Sequence, residues 1–187
     1  MSLLEWIAAA LVLTNVALVA RRSLWNYPFG IAAVSVYAIV FYDARLYSDM
    51  VLQGFFLILN IYGWLNWVRA KADDSVPVAW MTQGARLAWA GGIVLAWALW
   101  SGAMARLTDA AAPFADGAVA IVSVAAQALL ARRCAESWWL WIAVNVMAIP
   151  LFASRGLYVT AAVYAVLLGI AVAGLAEWRR AARGETA

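Results

Sequence analysis

The chain has 187 residues, of which 67% are hydrophobic and only 12% charged, and its mean hydropathy is +0.85. A soluble domain carries about 25% charged residues, so this composition predicts an integral membrane protein and leaves no room for a second, soluble domain. With no histidine and one cysteine, the sequence excludes a histidine metal centre, a disulfide framework and a His-based catalytic triad, and we expect neither an enzyme nor a cofactor.

Seven apolar runs predict seven transmembrane helices in an all-α protein. In chain order they cover residues 3–20, 25–42, 46–68, 85–105, 113–131, 138–153 and 156–178. The first run is not a signal peptide, because its basic residues, Arg21 and Arg22, follow the apolar stretch instead of preceding it. The longest polar stretch, 70–84, is interpreted as a solvated cytoplasmic linker without chemistry.

The basic residues are distributed unevenly when successive loops are assigned to alternate sides of the membrane. All but three of the 13 lysine and arginine residues fall on one side, and the exceptions are Arg45, Arg106 and Arg155. Cytoplasmic loops carry the excess of lysine and arginine. The sequence therefore predicts an outer N-terminus and a cytoplasmic C-terminus.

The first and last thirds of the chain match each other at an offset of 111 residues. The matched pairs are Arg21 and Arg132, Arg22 and Arg133, Phe41 and Phe152, Leu46 and Leu157, Tyr47 and Tyr158, Gly63 and Gly174, and Trp67 and Trp178. They align the ends of three successive helices, so we predict two parallel three-helix repeats joined by one helix. The predicted units are 1–70 for the first repeat, 71–111 for the linker and helix 4, and 112–187 for the second repeat with a short cytoplasmic tail. Chance matching within a biased composition is the alternative.

Several motifs of this chain occur together in one known family. They are residues 25–31 (WNYPFGI), 46–53 (LYSDMVLQ), 62–67 (YGWLNW), 136–141 (ESWWLW) and 156–164 (GLYVTAAVY). In combination they resemble the PnuC family of bacterial vitamin-precursor transporters. The resemblance implies a SWEET-like 3+1+3 fold in the inner membrane and facilitated diffusion of nicotinamide riboside, or in related branches of thiamine or another vitamin. It also implies a cytoplasmic kinase that traps the imported compound, and a homotrimer.

Polar side chains at membrane depth need a partner on another helix or on a substrate. Three predicted helices place amide and hydroxyl groups next to aromatic side chains on one face, as binding of a flat heteroaromatic cation requires. The predicted substrate-binding residues are Gln53, Phe56, Asn60 and Trp64 on the third helix, Trp138, Trp141 and Asn145 on the sixth, and Thr160 and Tyr164 on the seventh.

Other residues of the same types have a simpler interpretation. Asn15 and Gln127 are interpreted as hydrogen-bond partners between helices. An interfacial aromatic belt accounts for Trp67, Trp80, Trp89, Trp97, Trp100 and Trp178.

The charged residues also bear on how transport is driven. No predicted span has a carboxylate, lysine or arginine near its middle, and Asp49, about one turn inside the third span, is the nearest. This pattern predicts uncoupled diffusion, although a sodium site made of backbone carbonyls would leave no sequence signature. The only lysine, Lys71, lies in a loop, which excludes a retinal Schiff base. A passive channel lined by aromatic and amide side chains is the alternative to a carrier.

Overall fold

The described residues of the chain fold into seven α-helices, and the prediction of an all-α protein with seven helices is confirmed. The computed structural model describes residues 3–43, 47–71, 76–107, 112–154 and 158–183. The helices are α1 (Leu3–Ala20), α2 (Asn26–Asp43), α3 (Tyr47–Ala70), α4 (Gln83–Leu107), α5 (Pro113–Ala131), α6 (Ser137–Ser154) and α7 (Tyr158–Ala182). Leu46 and Leu157 lie outside the described residues, and so do the side chains of Asp49 and Thr160.

Most of the helices are strongly apolar. Four of them, α4 to α7, are long and apolar enough to cross a membrane, and α1 and α2 contain the shorter apolar segments Trp6–Ala20 and Asn26–Val40. Many large apolar side chains point outward, among them Leu87 and Leu99 of α4 and Ile58 of α3. Lipid is the environment that suits such a surface.

The helix contacts form a closed ring with one helix outside it. Helix α2 packs between α1 and α3, and α6 packs between α5 and α7. The ring closes because α3 contacts α5 and α1 contacts α7. Helix α4 contacts only α5 among the described helices, and Ser101 is its one buried residue.

The best-packed core lies at the end of the ring where α1, α3, α5 and α7 finish. Trp67, Trp138, Trp178 and Tyr27 are fully buried there. The belt interpretation is therefore wrong for Trp67 and Trp178. Hydropathy does not separate an indole inside the bundle from one at the membrane interface, because both positions favour an apolar ring with one polar N–H.

The two buried indoles are hydrogen-bonded in a reciprocal way. The Trp67 N–H donates to the carbonyl oxygen of Leu130 at the end of α5 (3.1 Å). The Trp178 N–H donates to the carbonyl oxygen of Val19 at the end of α1 (3.2 Å). Both donors and both acceptors are related by the offset of 111, so α3 binds the end of α5 in the same way as α7 binds the end of α1.

The polar linker is packed against the bundle at Val76, so the prediction of a solvated loop is wrong for this residue, whereas Pro77, Ala79 and Thr82 are exposed. Val76 is buried in the core. The backbone of Ala79 donates to the carbonyl oxygen of Arg133 (3.2 Å) and accepts from the N–H of Ala135 (3.0 Å). This pairing uses main-chain groups, which side-chain composition does not report.

Candidate substrate site

Two asparagines are buried inside the membrane-spanning bundle. Asn60 of α3 is 4% exposed and Asn145 of α6 is 3% exposed. Each side-chain NH₂ donates to a carbonyl oxygen one turn earlier in its own helix, Asn60 to Phe56 and Asn145 to Trp141, both at 2.8 Å. These bonds fix the amide planes and do not use the Oδ1 acceptors, which is the arrangement that a ligand N–H or hydroxyl group requires.

Asn60 belongs to a cluster that joins α1, α2 and α3. A Cβ atom built on Gly30 would lie 2.7 Å from Oδ1 of Asn60 and 2.8 Å from Nδ2 of Asn15. Nδ2 of Asn15 donates to the carbonyl oxygen of Asn26 (2.7 Å), so the predicted interhelical role of Asn15 is confirmed. Only glycine leaves both amides room at position 30.

The remaining predicted contacts lie on α3 and α7. Gln53 and Phe56 are half-buried on α3. On α7, the ring of Tyr164 is stacked on Phe152 of α6, with centroids 5.2 Å apart and planes 30° from parallel. Thr160 lies one turn before Tyr164 in the same helix, but its side chain is outside the described residues.

The structure separates the three predicted tryptophans. Trp64 is 39% exposed and stacks on Tyr27, with centroids 6.5 Å apart and planes 7° from parallel. Trp138 is fully enclosed and meets Trp178 edge to face at 5.7 Å. Trp141, one turn further into α6, is half-buried beside the same core. A ligand reaches Trp138 only if these rings separate, so its contact with substrate stays a prediction.

Helix α5 packs against both helices that carry the asparagines, α3 and α6. Gln127 is buried on this helix. No hydrogen bond of its side chain is present among the described residues, and its predicted role as a hydrogen-bond partner between helices stays a prediction. Its amide in an apolar run is the same signal that identified Asn60 and Asn145, and we add it to the candidate site.

The site is neutral throughout. Its polar groups are amides and a phenol, and the described residues contain no group of three or more histidine, cysteine, aspartate or glutamate side chains that could hold a metal ion. Such a site binds through stacking and hydrogen bonds, and a neutral or singly charged heteroaromatic molecule fits that chemistry.

Comparison with known proteins places this architecture among transporters. Residues 2–180 match the model of a family described as nicotinamide mononucleotide transporter. The chain is 28% identical to the nicotinamide riboside transporter PnuC of Escherichia coli K12, over 96% of this chain and 87% of that protein. It is also 28% identical to the riboflavin/roseoflavin transporter RibM of Streptomyces davaonensis, over 93% and 83% of the two chains.

A solved structure agrees with the sequence relatives. The crystal structure of a vitamin B3 transporter, PnuC, is similar to this chain with a TM-score of 0.82 and 26% identity, covering 98% of this chain and 83% of that one. All of these proteins are transporters and not enzymes. Since the family model spans nearly the whole sequence, the chain belongs to the nicotinamide mononucleotide transporter family of membrane proteins, the family of PnuC.

Proposed function

We propose that this protein carries nicotinamide riboside across the bacterial inner membrane by facilitated diffusion. The observation that carries the proposal is the pair of buried amides, Asn60 and Asn145, on different helices. Each uses its NH₂ group to donate to its own helix, and that bond does not involve its Oδ1 acceptor. Nicotinamide riboside has a carboxamide and ribose hydroxyl groups that donate to such acceptors. Relatives over nearly the full chain are named for this substrate.

The aromatic part of the substrate needs a ring face beside these amides. Trp141 is the best placed, because its carbonyl holds Asn145 and its ring is half-buried at the edge of the core. A pyridinium ring against an indole gains stacking and cation–π attraction. Gln53, Gln127 and Tyr164 complete the proposed site with further hydrogen-bonding groups.

Alternating access between two three-helix units is the proposed mechanism. The units are residues 1–70 and 112–187, with 71–111 as the connection, in a 3+1+3 arrangement. The closed ring and the reciprocal bonds of Trp67 and Trp178 support a two-fold relation between the units. A site between two such units opens to one side or the other when they rock.

Transport is proposed to be uncoupled from ions. No predicted span carries an ionisable group near its middle, and a neutral site releases a cationic substrate more readily than a buried carboxylate does. Net uptake then depends on a cytoplasmic kinase that converts the imported compound into a trapped product. In proteoliposomes without a kinase, a sodium or pH gradient should produce no accumulation above the external concentration, and accumulation would refute this step.

Orientation and assembly complete the proposal. The excess of basic residues at the ends of α1, α5 and α7 supports an outer N-terminus and a cytoplasmic C-terminus. Helix α4 lies outside the ring and exposes apolar side chains, which suits the proposed homotrimer. Native mass spectrometry of the purified protein measures the oligomeric state directly.

Riboflavin is a second candidate substrate, because the relative RibM matches 93% of this chain at the same identity as PnuC. Thiamine is the third, since its thiazolium ring makes the same aromatic contacts as a pyridinium. Saturable uptake with competition among these compounds separates a carrier from a passive channel.

The decisive experiment measures binding of nicotinamide riboside, riboflavin and thiamine side by side to the detergent-purified protein. Trp141→Ala and Asn145→Ala should each weaken nicotinamide riboside binding at least tenfold, as loss of a stacking or buried hydrogen-bonding partner does. The matched controls are Trp97→Ala, on the outer helix α4, and Ser35→Ala, whose exposed hydroxyl donates to a carbonyl of its own helix. Binding that survives both site variants would refute the proposed site, and binding of riboflavin alone would reassign the substrate.

A further inference from the structure

A cleft lies at the end of the bundle where α7 finishes and α4 and α6 begin. Its volume is about 380 Å³. It is formed by the docked part of the linker, the first turns of α4 and α6, and the last turns of α7. Its lining residues are Trp80, Arg86, Trp139, Arg179 and Arg183. None of these belongs to the candidate substrate site.

The cleft carries a surplus of positive charge. Nε of Arg86 lies 2.8 Å from Oε1 of Glu136, so this guanidinium is neutralised by a carboxylate. Arg179 and Arg183 are exposed at the end of α7 and form no ion pair within the described residues. Two guanidinium groups one turn apart, facing a third, are a favourable arrangement for a phosphate oxygen pair.

Two indoles complete the cleft. Trp139 is 51% exposed, and the guanidinium of Arg86 lies 5.7 Å from the ring centre of Trp80. Indole rings at the ends of membrane helices prefer the headgroup region, where one side of the ring is apolar and the other is hydrated. Leu87, which follows Arg86, is exposed on α4 and offers an apolar surface next to the charged rim.

We propose that this cleft binds the phosphate group of an acidic glycerophospholipid. Basic pockets between helix ends at the membrane surface recognise anionic headgroups in this way. The indoles and the exposed Leu87 favour a lipid over a soluble phosphate ester, because both provide contact for glycerol and acyl carbons. The offset of 111 places Pro28 and Val68 where the second repeat has Trp139 and Arg179, so the cleft is not part of the repeated framework.

The test measures the thermal unfolding midpoint of the purified full-length protein in neutral detergent during titration with phosphatidylglycerol, phosphatidylcholine or inorganic phosphate. Phosphatidylglycerol should raise the midpoint of the native protein, and the other two should not. The double variant Arg179→Gln/Arg183→Gln should need about tenfold more phosphatidylglycerol for the same shift. Arg69→Gln/Lys71→Gln removes equal charge at the end of α3 and is the control.

A second variant tests the same cleft by increasing its charge. Glu136→Gln keeps an oxygen acceptor for Arg86 and for the backbone N–H of Met81 (2.9 Å) but removes the negative charge. It should reach the same midpoint shift with less phosphatidylglycerol. Equal stabilisation by inorganic phosphate would overturn the assignment to a lipid and identify the ligand of the cleft as a soluble anion. An equal loss in the Arg69/Lys71 control, or a weaker response of Glu136→Gln, would overturn the site itself.

Discussion

The turn between α1 and α2 and the turn between α5 and α6 have the same backbone, 111 residues apart. Arg22 and Arg133 both adopt positive φ, at 56° and 64°. In each turn the N–H of the following residue donates to the carbonyl oxygen five residues earlier. Ser23 donates to Leu18 and Cys134 donates to Leu129, both at 3.0 Å. This is a Schellman ending, which normally uses glycine at the left-handed position. The agreement at a costly conformation supports a true repeat over chance matching.

The two turns differ in what covers them. At the second turn the linker residue Ala79 pairs with the backbone on both sides of Cys134, and Glu136 binds Met81 and Arg86. At the first turn no such segment is present among the described residues, and Trp25, which the offset pairs with Glu136, is 70% exposed. The two turns therefore share one backbone conformation, and the linker that covers the second turn makes their surroundings different.

The polar side chains beside these turns also differ between the repeats. Asn66 donates to the carbonyl oxygen of Ala131 (2.8 Å). At the matching position, Glu177 forms an ion pair with Arg22, at 3.9 Å. Asn66 connects the end of α3 to the end of α5 by a neutral hydrogen bond, and Glu177 connects the end of α7 to the turn after α1 by an ion pair.

Among the predicted substitutions, removal of either buried indole should lower the free energy of unfolding the most. Trp67→Ala and Trp178→Ala each leave a cavity in a fully buried core and orphan a helix-end carbonyl. We expect each to cost about 3–5 kcal/mol of unfolding free energy, equal within about 1 kcal/mol. Chemical denaturation in detergent measures both values, with exposed Trp100→Ala as the control. A severalfold difference between the two would show that the halves are not equivalent.

Substitution of the matched glycines Gly63 and Gly174 by alanine should destabilise the protein less than removal of an indole. A Cβ on Gly174 would lie 2.6 Å from two carbon atoms of the Trp138 ring, whereas a Cβ on Gly63 would lie 2.7 Å from the hydroxyl oxygen of Tyr27. We expect Gly174→Ala to cost about 1–3 kcal/mol and Gly63→Ala less, because the smaller phenol ring moves more easily than an indole. Melting temperatures in detergent provide the measurement.

Gly169 is the matched control for this pair, since it lies on the same helix as Gly174 and a Cβ there would meet nothing within 4 Å. Gly169→Ala should be neutral or slightly stabilising, because alanine favours a helix. If Gly169→Ala were as destabilising as Gly174→Ala, the contact with Trp138 would not be the cause.

Helix positions were predictable from the sequence because apolar runs and their charged ends determine where a chain crosses lipid. The fourth span was predicted at 85–105 and α4 extends over Gln83–Leu107, with differences of two residues at each end. Burial was harder to predict. Inside and outside of a membrane bundle are both apolar, so hydropathy did not separate Trp67 and Trp178 from a lipid-facing belt.

The candidate site was predictable in its chemistry and less so in its geometry. Asn60 and Asn145 stood out because an amide in an apolar helix is costly, and both are buried. The sequence did not show that Trp138 is enclosed by other rings, because this depends on helices far apart in the chain. It also gave Gln127 a packing role, because the position of α5 between α3 and α6 follows from helix contacts and not from local pattern.

The smallest expected effect is on the reactivity of Cys134, in the turn between α5 and α6 that the linker covers. Cys134 is half-buried beneath the linker, and burial, followed by the charge of Glu136, raises the pKa of its thiol. Alkylation requires the thiolate. At pH 8 a maleimide should therefore react several-fold more slowly with Cys134 than with an unperturbed thiol, and its rate should continue to rise at higher pH.

The matched probe for the uncovered turn is Ser23→Cys in a Cys134→Ser background, since the offset pairs these two positions. Its side chain lies at the same point of the same backbone turn, without the linker, and the carboxylate near this turn, Glu177, is paired with Arg22. We expect faster alkylation, with a pH profile closer to that of a free cysteine. Equal rates at the two positions would mean that the linker leaves its turn readily, and that the difference between the halves is not maintained in the detergent-solubilised protein. A slow rate at Cys134 alone would establish that the connection between the repeats, and not the repeats themselves, makes the two halves of the bundle different.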